Sequence, residues 1–122
     1  MSVEYWGIRM YGVNESQLEA RHNTDPEFWG VPQILEEDYN DAREVNINLK
    51  NGKVVPLYFE STEDDSYLGF EPSYPWEIKG NARLDITKED VEEAIVEFLK
   101  PYGYDPEDIH KAMEYINTYN CC

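Results

Sequence analysis

Residues 43–60, REVNINLK-NG-KVVPLYFE, constrain the fold more than any other part of the chain. Val45, Ile47 and Leu49 alternate with Asn46, Asn48 and Lys50, the period of a strand with one buried face. Asn51-Gly52 follows, a pair suited to a two-residue turn with positive φ at both centres. Val55, Leu57 and Phe59 alternate on the return. A hairpin over about 43–60 is therefore expected. Pro56 has no amide proton to donate, so its nitrogen should face an edge or a bulge.

A hairpin alone cannot bury its apolar face, so the rest of the chain must cover it. Residues 3–12, VEYWGIRMYG, read as a strand with Trp6, Ile8 and Met10 on one face and Val3, Tyr5 and Tyr11 on the other. Both faces are largely apolar, which places this strand inside the sheet. Tyr67–Phe70 and Trp76–Lys79 are candidate short strands, separated by turns at Pro72 and Pro75. Asn14, with Gln17 three residues on, marks the start of a short helix over 16–22. Asp25-Pro26 is a second cap-plus-first-turn signal. Residues 30–42 fit either a loop or a short helix after Pro32.

The last third reads as helical. Thr87 and Asp90 stand in the positions of a capping box, with Ile86 and Val91 as its hydrophobic staple. Val91, Ala94, Ile95, Phe98 and Leu99 form one apolar stripe. Pro101 and Gly103 end that helix. Asp105-Pro106 opens another, with the stripe Ile109, Ala112, Met113 and Ile116. The expected class is α+β: an antiparallel sheet covered by two C-terminal helices. At 122 residues one domain is expected.

The charge is extreme. The chain has 26 acids against 10 bases, a formal net charge of −16. A small domain needs a magnitude of only roughly 2 to 8 to stay dispersed, and the excess costs stability through self-repulsion. Aromatics at 14%, ten of them tyrosine, argue against a disordered acidic chain. Such a surface disfavours direct contact with nucleic acid or an anionic membrane and points either to a partner with a basic surface or to a crowded, salty setting. The only cysteines are Cys121 and Cys122, adjacent at the end. They cannot close a loop through the core, and they read as a reduced, frayed tail on a cytoplasmic protein. No N-terminal leader or membrane-spanning pattern is expected.

Recognisable catalytic chemistry is missing. There is no Gly-rich phosphate loop, nucleophile elbow or zinc spacing. His110 and Glu114 fall one helical turn apart, which without a third ligand reads as a surface pair. His22 ends a helix, where a cation suits the dipole. Neither STEDDSYLGFE nor EEDYNDARE keeps calcium-loop spacing. A looser magnesium site, or a carboxylate pair for glycoside cleavage, would have no distinguishing spacing among so many acids. The expectation is a protein that is not an enzyme and needs no cofactor or metal.

The acids form three groups: Glu36, Glu37, Asp38, Asp41 and Glu44; Glu60, Glu63, Asp64 and Asp65; and Glu89, Asp90, Glu92, Glu93 and Glu97. Residues 59–77 interleave six acids with five aromatics, so a folded negative surface is expected there, its aromatics either buried on the core side or forming the apolar centre of an interface with the acids as its rim. Glu89, Glu93 and Glu97 line one helix face at a repeat of about 6 Å. Duplex DNA carries a charge about every 3.4 Å per strand, so one helix reaches about half that density and needs a second acidic element beside it. The candidate partner-binding residues are Glu36, Glu37, Asp38, Asp41, Glu63, Asp64, Asp65, Glu89, Glu92, Glu93 and Glu97.

Small size, acidity, abundant tyrosine and an α+β layout together resemble, by type and without a shared motif, the phage and mobile-element inhibitors of bacterial defence: DNA-mimicking anti-CRISPR and anti-restriction proteins. The resemblance implies an inhibitor acting in the bacterial host cytoplasm. Its partner would be a CRISPR effector or other nuclease whose basic nucleic-acid channel it blocks. An immunity protein neutralising a basic nuclease toxin would use the same physics. A non-inhibitory interaction domain is the third reading.

Overall fold

The computed structural model describes residues 5–22, 29–62, 65–71 and 86–121, with side chains from Arg9 to Asn117 apart from a few within helix α1. Five strands and four helices follow in the order β1 (Tyr5–Asn14), α1 (Glu15–His22), α2 (Val31–Asp38), β2 (Glu44–Asn48), β3 (Val54–Ser61), β4 (Ser66–Phe70), α3 (Lys88–Leu99), α4 (Pro106–Ala112) and β5 (Glu114–Cys121). The strands form one antiparallel sheet in the order β2-β3-β4-β1-β5. The fold is α+β, as expected. Expectations for Asp25-Pro26 and for Trp76–Lys79 lie outside the described residues.

The hairpin register aligns the alternating apolar residues. Val45 pairs with Leu57 and Ile47 with Val55. Leu68 stands opposite both Phe59 and Val13, and Phe70 opposite Tyr11. Val13, Val45, Val55, Leu57, Phe59, Leu68 and Phe70 thus share one face and join one buried cluster. The helices add Leu18, Ile34, Ile95, Phe98, Leu99 and Ile109 to it. Burying a side chain of this size contributes about 1.5–3 kcal/mol before entropy is counted.

The hairpin turn differs from the two-residue form. The Leu49 amide donates to the Lys53 carbonyl, so three residues, Lys50 to Gly52, make the loop. Only Gly52 has positive φ, at 90°, which is the turn-plus-bulge alternative open to an Asn-Gly pair. Pro56 lies opposite Asn46 between the bonded pairs Val45–Leu57 and Ile47–Val55. Its nitrogen therefore points away from β2, toward a position beyond the end of the β3–β4 ladder at Tyr58–Gly69. That is a local edge, the one place a proline fits inside this strand.

Three helix starts follow their sequence signals. The Asn14 side chain accepts from the Gln17 amide at 3.2 Å. Both bonds of the Thr87–Asp90 capping box are present, at 3.0 and 3.1 Å. Asp105 accepts from the Glu107 amide at 2.9 Å. Residues 31–38, open between loop and helix in the sequence, are helical, with Pro32 in the first turn.

The C-terminus corrects the sequence reading. The last helix stops at Ala112, because Met113 is extended at φ −63°, ψ 130°. Ile109 and Ala112 are core residues of that helix, but Ile116 lies in β5 and packs with Met10 in a separate small cluster. The spacing of 109, 112, 113 and 116 imitates a helical stripe by coincidence. The composition of EYINTYNC, with Tyr115, Ile116, Thr118 and Tyr119, suits a strand. β5 pairs with β1 from Tyr5–Cys121 to Gly12–Glu114, so Cys121 belongs to the ladder and not to a frayed tail. β5 also gives β1 the flanking strand that its two apolar faces demand; β4 reaches only four of its residues.

Gly12 and Gly69 face each other where β1 meets β4. A Cβ on Gly12 would lie 2.1 Å from the Leu68 carbonyl oxygen. The two backbones approach too closely there for any side chain.

Candidate acidic interface

The apolar stripe of α3 faces the sheet, with Val91, Ala94, Ile95, Phe98 and Leu99 all buried. That fixes the opposite face. Glu89 and Glu97 are exposed and Glu93 is half-buried. Among the described residues none of the three forms an ion pair. Like charges four residues apart on a helix cost a few tenths of a kcal/mol each, and Lys100, three residues after Glu97 at the C-cap, forms no ion pair with the row among the described residues.

Two members of the third group do not belong to this row. Asp90 is buried, its carboxylate 2.8 Å from the Lys53 ammonium and 3.1 Å from the Asn51 amide. The Lys53 bond first, then the Thr87 backbone, hold its pKa down to about 2. Glu92 is turned toward α4, with an oxygen 2.5 Å from His110 Nδ1. This corrects the expected His110–Glu114 pair: Glu114 starts β5, and the partner of His110 comes from α3. Glu92 remains only partly accessible to a partner.

The first group sits at the end of α2. Glu36, Glu37 and Asp38 are exposed in its last turn, which contains no base. Helix C-termini carry partial negative charge and favour cations, typically by 0.3–1 kcal/mol each, so the placement opposes local stability. Asp41 has a structural reason of its own. It and Asn40 adopt left-handed φ of 59° and 54°, a conformation that short polar side chains tolerate, and the Asp41 amide returns to the Leu35 carbonyl at 2.8 Å.

Two side-chain contacts join the C-terminal end of α2 to that of α3. The Tyr39 ring lies 5.2 Å from that of Phe98, and the Tyr102 hydroxyl donates to the Asp38 carboxylate. Burial, then the neighbouring Asp38 carboxylate, push the Tyr102 pKa well above its ordinary value. Two helix C-termini thus meet, one ending in Glu36, Glu37 and Asp38, the other in Glu97. The last turn of α3 also lacks a base, the next cation being Lys100 at its C-cap.

The second group adjoins the first. Asp41 and Arg43 line a shallow depression of about 190 Å³ with Ser61 and Ser66, the last pair of the β3–β4 ladder. Arg43, stacked 5.9 Å from the Phe59 ring centroid, interrupts the acids there. Asp65 closes the turn through its backbone, exchanging bonds with Thr62. Glu63 and Asp64 lie outside the described residues. The residues missed in the sequence are Tyr39 and Tyr102, which join the groups, and Lys53, which removes Asp90 from them. They lie tens of positions away from their partners, so no local spacing could have marked them.

Among the described residues no three His, Cys, Asp or Glu side chains are grouped to hold a metal ion, and no helix is long and apolar enough to cross a membrane. No protein-family model, curated protein or solved structure matches the chain.

Proposed function

We propose that the protein is an acidic inhibitor that occupies the basic nucleic-acid-binding surface of a bacterial defence nuclease and blocks its target DNA or RNA. The observation that carries this reading is the meeting of two acidic helix C-termini, α2 with Glu36, Glu37 and Asp38 and α3 with Glu97, continued by Glu93 and Glu89 along α3. Each helix end places carboxylates where its dipole is already negative. The arrangement opposes the stability of the isolated chain, and a cationic partner would reverse the sign of that term. The row on α3 alone has about half the charge density of a DNA strand; the end of α2 supplies the second acidic element beside it. Tyr39 and Tyr102 hold the two ends together, so a partner meets charges that are already positioned.

The test is affinity capture from bacterial lysate. The wild-type chain and a Glu89→Gln, Glu93→Gln, Glu97→Gln variant are immobilised, and bound protein is eluted with salt and identified. The reading requires a nucleic-acid-binding protein retained by the wild type and depleted on the variant. Capture of proteins without basic nucleic-acid surfaces, or equal capture by both chains, would contradict it.

A further inference from the structure

One concavity among the described residues lies away from the acidic ends. It is a groove of about 490 Å³ lined by the N-terminus of α3 and by strands β1 and β5. Tyr11 and Tyr115, opposite each other in the β1–β5 ladder, form its floor with ring centroids 5.0 Å apart. Phe70 and Val91 add apolar surface. Two cations line the same groove. The Lys88 ammonium sits 4.5 Å from the Tyr115 ring centroid and 5.7 Å from that of Tyr11. Arg9 is exposed, on the same face of β1 as Tyr11.

On a chain of net charge −16, two cations converging on an aromatic floor are out of keeping with the rest of the surface. The core does not require them, since Lys88 and Arg9 are both exposed. The acids whose charge reaches Tyr11 are Glu92 and Glu89, and Glu92 is held by His110. A cation above a ring keeps its hydrogen-bond donors. Ligand sites of about 300–1,000 Å³ are typically apolar with a few convergent polar groups, and this groove has both properties.

We propose that the groove is a binding site for a small organic anion with an aromatic body, the rings of Tyr11 and Tyr115 receiving the body and Lys88 and Arg9 the anionic group. The guanidinium fork suits a carboxylate or sulfonate, and a charge-assisted hydrogen bond is about twice as strong as a neutral one. Elsewhere the acidic surface repels such a ligand, so selectivity for an anion over its neutral counterpart is the mark of this site.

The probe is 8-anilinonaphthalene-1-sulfonate, compared with N-phenyl-1-naphthylamine, which has the same ring system without the sulfonate. Fluorescence titration of the full chain should give one saturable sulfonate site, at least about tenfold tighter than the neutral amine, the ratio worth 1.4 kcal/mol. Lys88→Met and Arg9→Met should each weaken the sulfonate about tenfold and leave the amine unchanged. Tyr115→Ala should weaken both. Far-UV circular dichroism establishes that each variant is folded; should Arg9→Met fail that check, Lys88→Met, at an exposed helix position, decides alone. Equal affinity for both probes, or a sulfonate titration unmoved by Lys88→Met, overturns the proposal.

Discussion

The Lys53 ammonium lies 2.8 Å from the Asp90 carboxylate, joining the tip of the β2–β3 hairpin to the first turn of α3. The same carboxylate accepts from the Thr87 amide in the capping box. One acid therefore ties a local helix start to a turn 37 positions away. The pKa of Asp90 is about 2, below its ordinary 3.8, so its folded form prefers to be ionised. The stability this adds is fully present above about pH 4 and is lost as pH falls toward 2. Urea unfolding of the wild type and Asp90→Asn across pH 2–7 should give a difference that shrinks steadily below pH 4. A difference independent of pH would show that the charge contributes nothing.

Removing the other half of the box tests the helix start separately. Thr87→Ala leaves the Asp90 amide without its acceptor and should cost about 1 kcal/mol. The measurement is the urea midpoint at neutral pH, and an unchanged midpoint would mean that core packing alone fixes the start of α3.

Gly12→Ala places a methyl group 2.1 Å from the Leu68 carbonyl oxygen. The obstacle is backbone and cannot rotate aside, so the loss should reach or exceed the roughly 1–3 kcal/mol typical of overpacking. Thermal unfolding measures it. Gly52→Ala, strained by φ of 90° but with open space around it, should cost less.

Ending the chain after Met113 removes β5, and with it the whole β1–β5 ladder. Circular dichroism and the urea midpoint should show loss of cooperative folding. Retention of a wild-type transition would mean that β5 is dispensable.

Local rules made much of this fold readable. The hairpin, Asn14, the Thr87–Asp90 box and the α3 stripe all depend on neighbours within a few residues, and all are present. β5 was misread because Ile109, Ala112, Met113 and Ile116 satisfy helical spacing; what decides the segment is the vacant edge of β1, a long-range fact. The acidic groups were legible as composition and their exposure on α3 as periodicity. Their juxtaposition was not, since it depends on Tyr39 reaching Phe98 and Tyr102 reaching Asp38. Nor was the loss of Asp90 and Glu92 to Lys53 and His110.

Changing Glu89, Glu93 and Glu97 to Gln should leave the fold intact and raise stability by a few tenths of a kcal/mol per relieved contact. Thermal unfolding at low ionic strength shows it best, because salt screens the repulsion. A large destabilisation would mean that these acids are structural.

The central claim is that the acids at the ends of α2 and along α3 stand in for nucleic-acid phosphates. Its most direct test is competition between the chain and labelled duplex DNA or RNA on the protein captured from lysate, repeated from low salt to about 1 M, where the Debye length falls to roughly 3 Å. The account predicts that the wild type displaces the nucleic acid at low salt and loses affinity steeply as salt rises, mainly through slower association. The Glu89, Glu93, Glu97 triple variant should displace it poorly, and a Glu36→Gln, Glu37→Gln, Asp38→Asn variant likewise. If both variants displace the nucleic acid as well as the wild type at low salt, or the wild type binds the captured protein without displacing it, the acids are a solvated coat and the account is wrong.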